Sequence, residues 1–160
     1  MPQSTTKRLR SVPSVVCSSR ATLDSAACSG VDSTLKDLKS CVRRLQTSLA
    51  THAEEMQLLE RLYYKGKNQH RSALFWRRLE EVRKYGKRLQ EMELSSLLEL
   101  LRFSFFGTAA IQNPKALKGS WTHYPDAQYL CFVMERLSSC SLLLDKTHTR
   151  LSEAYQFFVV

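Results

Sequence analysis

The chain has 160 residues and a formal net charge of +9 at neutral pH. At that size one domain buries roughly 70% of its unfolded surface and needs no disulfide or metal to hold it together. The five cysteines, Cys17, Cys28, Cys41, Cys131 and Cys140, are odd in number and include no C-x-x-C pair or neighbouring H-x-x-x-H. They argue for reduced thiols and against a disulfide framework or a zinc site.

The first thirty residues carry Lys7, Arg8, Arg10 and Arg20 among many serines, with Asp24 the only acid. This composition predicts a disordered basic arm over residues 1–30, followed by a helical bundle domain over 31–160. An organelle transit peptide shares the same composition. From Leu35 the apolar positions Leu35, Leu38, Val42, Leu45, Leu49, His52, Met56, Leu59 and Tyr63 alternate spacings of three and four. That seam predicts a helix opened by Asp32 or Ser33 and ended by Gly66, of roughly 33 residues and about 50 Å. His52, the one ionisable residue on the seam, is expected to make an interhelical hydrogen bond, with no other ligand at metal spacing beside it.

A second helix is expected from about Gln69 to Met92, with Phe75, Leu79, Val82, Gly86 and Leu89 on its core arc and Gly86 allowing a close crossing. Ser96 to Glu99 matches a capping box, so a third helix is expected to begin near Leu97 and end before Gly107. Leu94 to Phe106, the longest apolar run, is broken by Ser95, Ser96, Glu99, Arg102 and Ser104. It falls short of the ~18 apolar residues a membrane span needs, so a soluble chain is expected. Gly107 to Tyr124 reads as a loop. Pro125-Asp126 then opens a last helix with the seam Leu130, Val133, Leu137, Cys140, Leu144, Thr147, Leu151, Ala154 and Phe158. The pattern predicts an all-α fold, an elongated antiparallel helical bundle that buries its own seams; an intermolecular coiled coil is the rival use of the same repeats.

The charge is concentrated in one window. Between Arg61 and Gln90, ten Lys/Arg stand against two acids, Glu80 and Glu81, which leaves +8 of the total +9. Cations so clustered are a candidate footprint for a polyanion, since Lys and Arg beside phosphates release condensed counterions; a solvated helix face is the plainer use. On a helical wheel Arg77, Lys84 and Arg88, with His70, fall together at about 180–220° from Phe75, opposite the core arc. Trp76 stands at the shoulder between Arg83 and Lys87, placed either to pack on a neighbouring helix or to stack on an unpaired base. Lys67-Asn68-Gln69-His70-Arg71 sets amide and imidazole groups beside cations, a combination that reads base edges as well as phosphates; as plain structure it is a turn in which Asn68 caps the second helix. Arg71 projects near the core arc and is expected to be partly buried or paired.

The segment Leu62 to Arg71, LYYKGKNQHR, followed by Phe75-Trp76-Arg77 and the basic run to Arg88, resembles the small helical subunit specific to ribonuclease MRP and the amino-terminal domain of the nucleolus and neural progenitor protein family. Met92-Glu93-Leu94 and the last helix extend the resemblance, which covers about Leu35 to Phe158. It implies an α-helical, non-catalytic protein of the nucleus and nucleolus, in a particle whose catalyst is RNA and whose substrate is precursor ribosomal RNA. Lys67, Asn68, Gln69, His70, Arg71, Trp76 and Arg77 would then face MRP RNA or other protein subunits of the particle. Animal members extend further at the carboxy terminus, and roles resting on that extension are not implied here.

No P-loop, HExxH, G-x-S-x-G or paired metal ligands occur, and His52, His70, His123 and His148 are scattered. The expected function is therefore a non-enzymatic RNA-binding scaffold without a cofactor, a small-molecule substrate or a membrane partner. Its RNA-binding residues are expected to be Lys67, Asn68, Gln69, His70, Arg71, Trp76, Arg77, Arg83, Lys84, Lys87 and Arg88. A helical adaptor that uses the seams to bind protein partners is the alternative.

Overall fold

The computed structural model describes residues 10–113 and 119–157. A single helix, α1 (Ser25–His70), forms the spine of an all-α bundle. At 46 residues it is about 70 Å long. Every predicted seam position from Leu35 to Tyr63 is buried or half-buried. Both of its ends lie beyond those expected. Asp24 caps the N-terminus, its carboxylate accepting from the Ala27 amide at 2.7 Å. Gly66 does not end the helix, which runs on to His70; a methyl group there would meet the Trp76 ring at 2.5 Å. The missing side chain opens room for the indole, so the glycine serves packing within the helix and not a cap.

The chain reverses at Arg71 to Ala73, and α2 (Leu74–Glu91) runs back antiparallel along α1. The N-cap of α2 is Ala73, without a side-chain cap, so the expected cap by Asn68 is not formed: Asn68 sits in the last turn of α1. Val82, Gly86 and Leu89 are buried as the arc predicts, and Gly86 presses against the Met56 thioether of α1. A left-handed Glu93, φ 47°, separates α2 from α3 (Leu94–Ser104), which continues along α1. The predicted capping box at Ser96 is absent, and the helix begins earlier. With the kink at Glu93, Met92 and Leu94 are both buried, a gain of apolar burial that outweighs the local capping signal. Ser96 lies inside α3, and Glu99 accepts from the Gln46 side-chain amide at 2.8 Å.

Among the described residues, the stretch expected to be loop holds α4 (Thr108–Gln112) and most of β2 (His123–Pro125). The strand pairs antiparallel with β1 (Cys17–Ser19), Cys17 opposite Pro125 and Ser19 opposite His123. The described part of the expected disordered arm is thus structured: Val15 packs on the core, and the Arg20 amide donates to the Thr122 carbonyl at 2.9 Å. Arg136, 8% exposed, donates to the Arg10 carbonyl at 2.7 Å, and Trp121 donates its indole N–H to Asp32 at 2.7 Å. Lys7 and Arg8 lie outside the described residues.

Finally α5 (Ala127–Gln156), capped by Asp126 as expected, runs parallel to α1 and packs chiefly on α2. Its buried line is Tyr129, Phe132, Val133, Arg136, Leu143 and Ala154. Leu130, Leu144 and Leu151 of the predicted seam are exposed, because the α5 face is turned by about one residue toward Tyr129 and Leu143; Phe158 lies outside the described residues. Two core clusters result. One joins Val42, Leu97, Leu98, Tyr129, Phe132 and Val133, and the other joins Leu89, Met92, Leu94 and Leu143. The Tyr129 hydroxyl is pushed up to about 12 by its burial. His52 departs from expectation: its Nε2 is buried without a hydrogen-bond partner among the described residues.

The two helix-crossing glycines are not equivalent. Gly66→Ala gains helix propensity of about 1 kcal/mol but drives a methyl into a rigid indole, whereas Gly86→Ala meets only the movable end of Met56. We expect Gly66→Ala to lower stability by about 1–2 kcal/mol and Gly86→Ala to be near neutral, as measured by urea denaturation.

Candidate nucleic-acid interface

The α1–α2 hairpin forms one end of the bundle and carries the basic window. The aromatic cluster at its turn sets the geometry. Trp76, 7% exposed, stacks on Tyr63 with ring centroids 4.8 Å apart, and Phe75 meets it edge-on at 6.1 Å. His70 is half-buried, with its ring 5.4 Å from Phe75 and 5.6 Å from Trp76. Trp76 and His70 are therefore packing residues of the hairpin. Of the two placements open to Trp76, the fold takes the packed one, and the ring has no free face for a base.

The cations divide into two sets. Arg83 lies 3.7 Å over the Tyr63 ring and makes a two-pronged ion pair with Glu60, its Nε 3.1 Å from Oε1. Lys87 reaches the same carboxylate at 3.5 Å, and Lys84 pairs with Glu80 at 3.0 Å. Arg78 and Arg150 alternate with Glu81 and Glu153, including Arg78 to Glu153 at 2.9 Å, and tie α2 to α5. Arg88 is half-buried. By contrast Arg61, Lys65, Lys67, Arg71 and Arg77 are exposed and have no ion pair among the described residues. Arg71 is thus open to solvent, not buried or paired as its wheel angle suggested: the helix ends at His70, and the wheel of α2 does not extend back to it.

Of the residues expected to bind RNA, Lys67, Asn68, Gln69, Arg71 and Arg77 share the exposed hairpin end. Lys84 and Lys87 lie further along α2, exposed but ion-paired, and His70, Trp76 and Arg83 are held by the structure itself. Sequence reasoning passed over Glu60 and Tyr64. Glu60 is the acid from outside the window that neutralises Arg83 and Lys87. Tyr64 is 85% exposed among the unpaired cations, and its place next to the seam residue Tyr63, one step off the apolar register, is the signal that would have found it.

Apart from the hairpin, a cleft of about 280 Å³ is lined by residues of α1, α2 and α5, among them His52, Leu58, Leu62 and Leu151. Among the described residues no cluster of three His, Cys, Asp or Glu could hold a metal ion, and no helix is long and apolar enough to cross a membrane. Burial pushes the Cys17 and Cys140 thiols up, away from the reactive thiolate form.

A family model described as nucleolus and neural progenitor protein, N-terminal, matches residues 8–160. The chain belongs to this family. The match takes in every element of the bundle, including the β1 segment that the earlier resemblance left out. No curated protein and no solved structure matches the chain.

The Arg83 hydrogen bonds, with Lys87 beside them, hold the Glu60 carboxyl below the usual 4.5. A depressed folded-state value means this contribution is fully present above the ordinary glutamate range and is lost as pH falls through the lower value. Glu60 is part-exposed, so its net worth is under about 1 kcal/mol. Urea unfolding at neutral and acid pH is expected to show that Glu60→Gln lowers stability at neutral pH only, flattening the acid dependence.

Proposed function

We propose that this protein is a non-catalytic RNA-binding scaffold, a subunit of the ribonuclease MRP particle in the nucleolus that helps to position MRP RNA for precursor ribosomal RNA processing. The observation that carries the RNA reading is the unpaired set Arg61, Lys65, Lys67, Arg71 and Arg77, exposed at one end of a bundle whose other charges in that window are largely compensated. Clustered unneutralised cations repel one another, a penalty that phosphates relieve, and the released counterions add affinity without sequence preference. Asn68 and Gln69, exposed beside them, supply the amide groups that can read a base edge. The nucleolar setting and the MRP particle rest on the family, whose name points to the nucleolus, and on the LYYKGKNQHR resemblance. The acting surface in this reading is smaller than the sequence suggested: Lys67, Asn68, Gln69, Arg71 and Arg77, joined by Arg61 and Lys65.

The adaptor reading changes its address in this fold. Leu45 and Leu137, seam residues expected to hold a protein partner, pack inward against the core clusters. A partner helix would be left the exposed Leu58, Leu62 and Leu151 beside the cleft.

Salt dependence separates the readings. Replacing Lys67, Arg71 and Arg77 together with alanine is expected to weaken binding of MRP RNA and to make the log affinity against log salt slope shallower by about 2, at roughly 0.7 per single-strand phosphate contact. Wild-type affinity that ignores salt, or a slope untouched by the triple substitution, would count against direct RNA contact through this end.

A further inference from the structure

We propose that the outward face of α1 around Tyr64, with the hollow next to it between α1 and α2, seats an unpaired nucleotide of RNA. The inference rests on the RNA-binding reading and gives it a site. Tyr64 has only 15% of its surface covered, the reverse of what a tyrosine does when its role is packing. At 100° per residue Arg61, Lys67, Asn68 and Arg71 all fall within about 60° of it, while Leu59, Tyr63, Gly66 and His70 lie on the opposite side, against the core. The side chains of Tyr64, Arg61, Lys67, Asn68 and Arg71 are therefore exposed, away from the packed side of the helix. The one acid on this face, Glu60, is turned to Arg83 and Lys87, which leaves the field around the phenol ring cationic.

One turn toward the N-terminus, the same face opens into a hollow of about 420 Å³ lined by Met56, Gln57, Glu60, Arg61, Lys87 and Gln90. Its chemistry suits a base with its phosphate. Its lining is mostly apolar, with Met56 on one wall, which suits the flat face of a base; Gln57 and Gln90 carry primary amides beside it, and Arg61, without an ion pair among the described residues, is the cation next to it for the backbone phosphate. Tyr64 stands about one helical turn from Arg61 at the near side of the hollow and two turns, about 10 Å, from Gln57 at its far side, a span within reach of successive nucleotides of an extended strand. A duplex offers no such ring, because its bases are stacked on one another and its A-form major groove is too narrow for side chains. A protein partner could also use an exposed tyrosine among arginines, but the uncompensated cations around Tyr64 favour a nucleotide, which brings a ring and a phosphate together.

The test uses the full chain with oligouridylate and with an RNA duplex of equal length, followed by fluorescence anisotropy over a salt series. Tyr64→Ala is expected to weaken oligouridylate binding by about five- to one-hundred-fold, with the salt slope unchanged because no charge is lost, and to leave duplex binding as it was. Tyr64→Phe should stay within about twofold of wild type, since stacking needs only the ring. Replacing Gln57 and Gln90 with alanine should change the preference between oligouridylate and oligoadenylate. Tyr64 is exposed, so these variants should retain the wild-type unfolding curve. If Tyr64→Ala binds oligouridylate as wild type does, the nucleotide seat is overturned while the electrostatic scaffold stands. If wild type binds neither RNA, both fail. If Tyr64→Ala keeps RNA affinity but no longer assembles with protein subunits of the particle, the face is a protein contact and the inference is wrong.

Discussion

The Trp76 indole lies in the space that a side chain on Gly66 would fill, and its ring stacks on Tyr63 one turn away on α1. This contact clamps the first turn of α2 onto the last turns of α1 and fixes the angle at which the hairpin closes. Arg83 lies over the other aromatic partner, Tyr63, and from there reaches Glu60. The position of every cation at this end follows from that clamp. Lys67, Arg71 and Arg77 are held outward because the Gly66, His70 and Trp76 side of the turn is occupied by aromatic packing.

Charge in this protein is allocated by tertiary contacts. Glu60 on α1 and Glu153 on α5 stand outside the basic window, yet they partner Arg83, Lys87 and Arg78 within it. The four-membered alternation of Arg78, Glu81, Arg150 and Glu153 fastens α5 along α2, so part of what looks like a polyanion site in one dimension is helix-to-helix adhesion in three. Such part-exposed pairs are individually weak, and they act here chiefly as register marks between helices whose apolar faces supply the stability.

The α1 seam was legible because its three-and-four alternation runs without interruption, and every position from Leu35 to Tyr63 faces inward. Gly86 was legible for the same reason, as a small residue on an apolar arc. The early start of α1 was not: Ser25 to Gly30 carry no apolar period, and only the Asp24 cap marks them. Nor was the β1–β2 pairing, a contact between segments over one hundred positions apart whose three-residue strands have no periodicity to read. In α5 two overlapping stripes compete, and the sequence favoured the leucines over the Tyr129 to Leu143 line, because the aromatic and arginine residues that the core accepts look less apolar. At the site, a charge count could not tell Arg83 from Arg77, since the difference lies in Glu60, a partner on another helix.

The bundle is built on a helix about 70 Å long and carries an uncompensated basic end, the two features on which the proposed scaffold role depends. In the proposed role this end contacts MRP RNA directly. The most direct measurement is to crosslink RNA to the protein in cells, recover it, and sequence the RNA bound by wild type and by the variant with Lys67, Arg71 and Arg77 replaced by alanine. MRP RNA is expected to be enriched with wild type and lost with the variant. Equal enrichment by both proteins would show that other surfaces hold the chain in the particle, and no enrichment by either would contradict the account altogether.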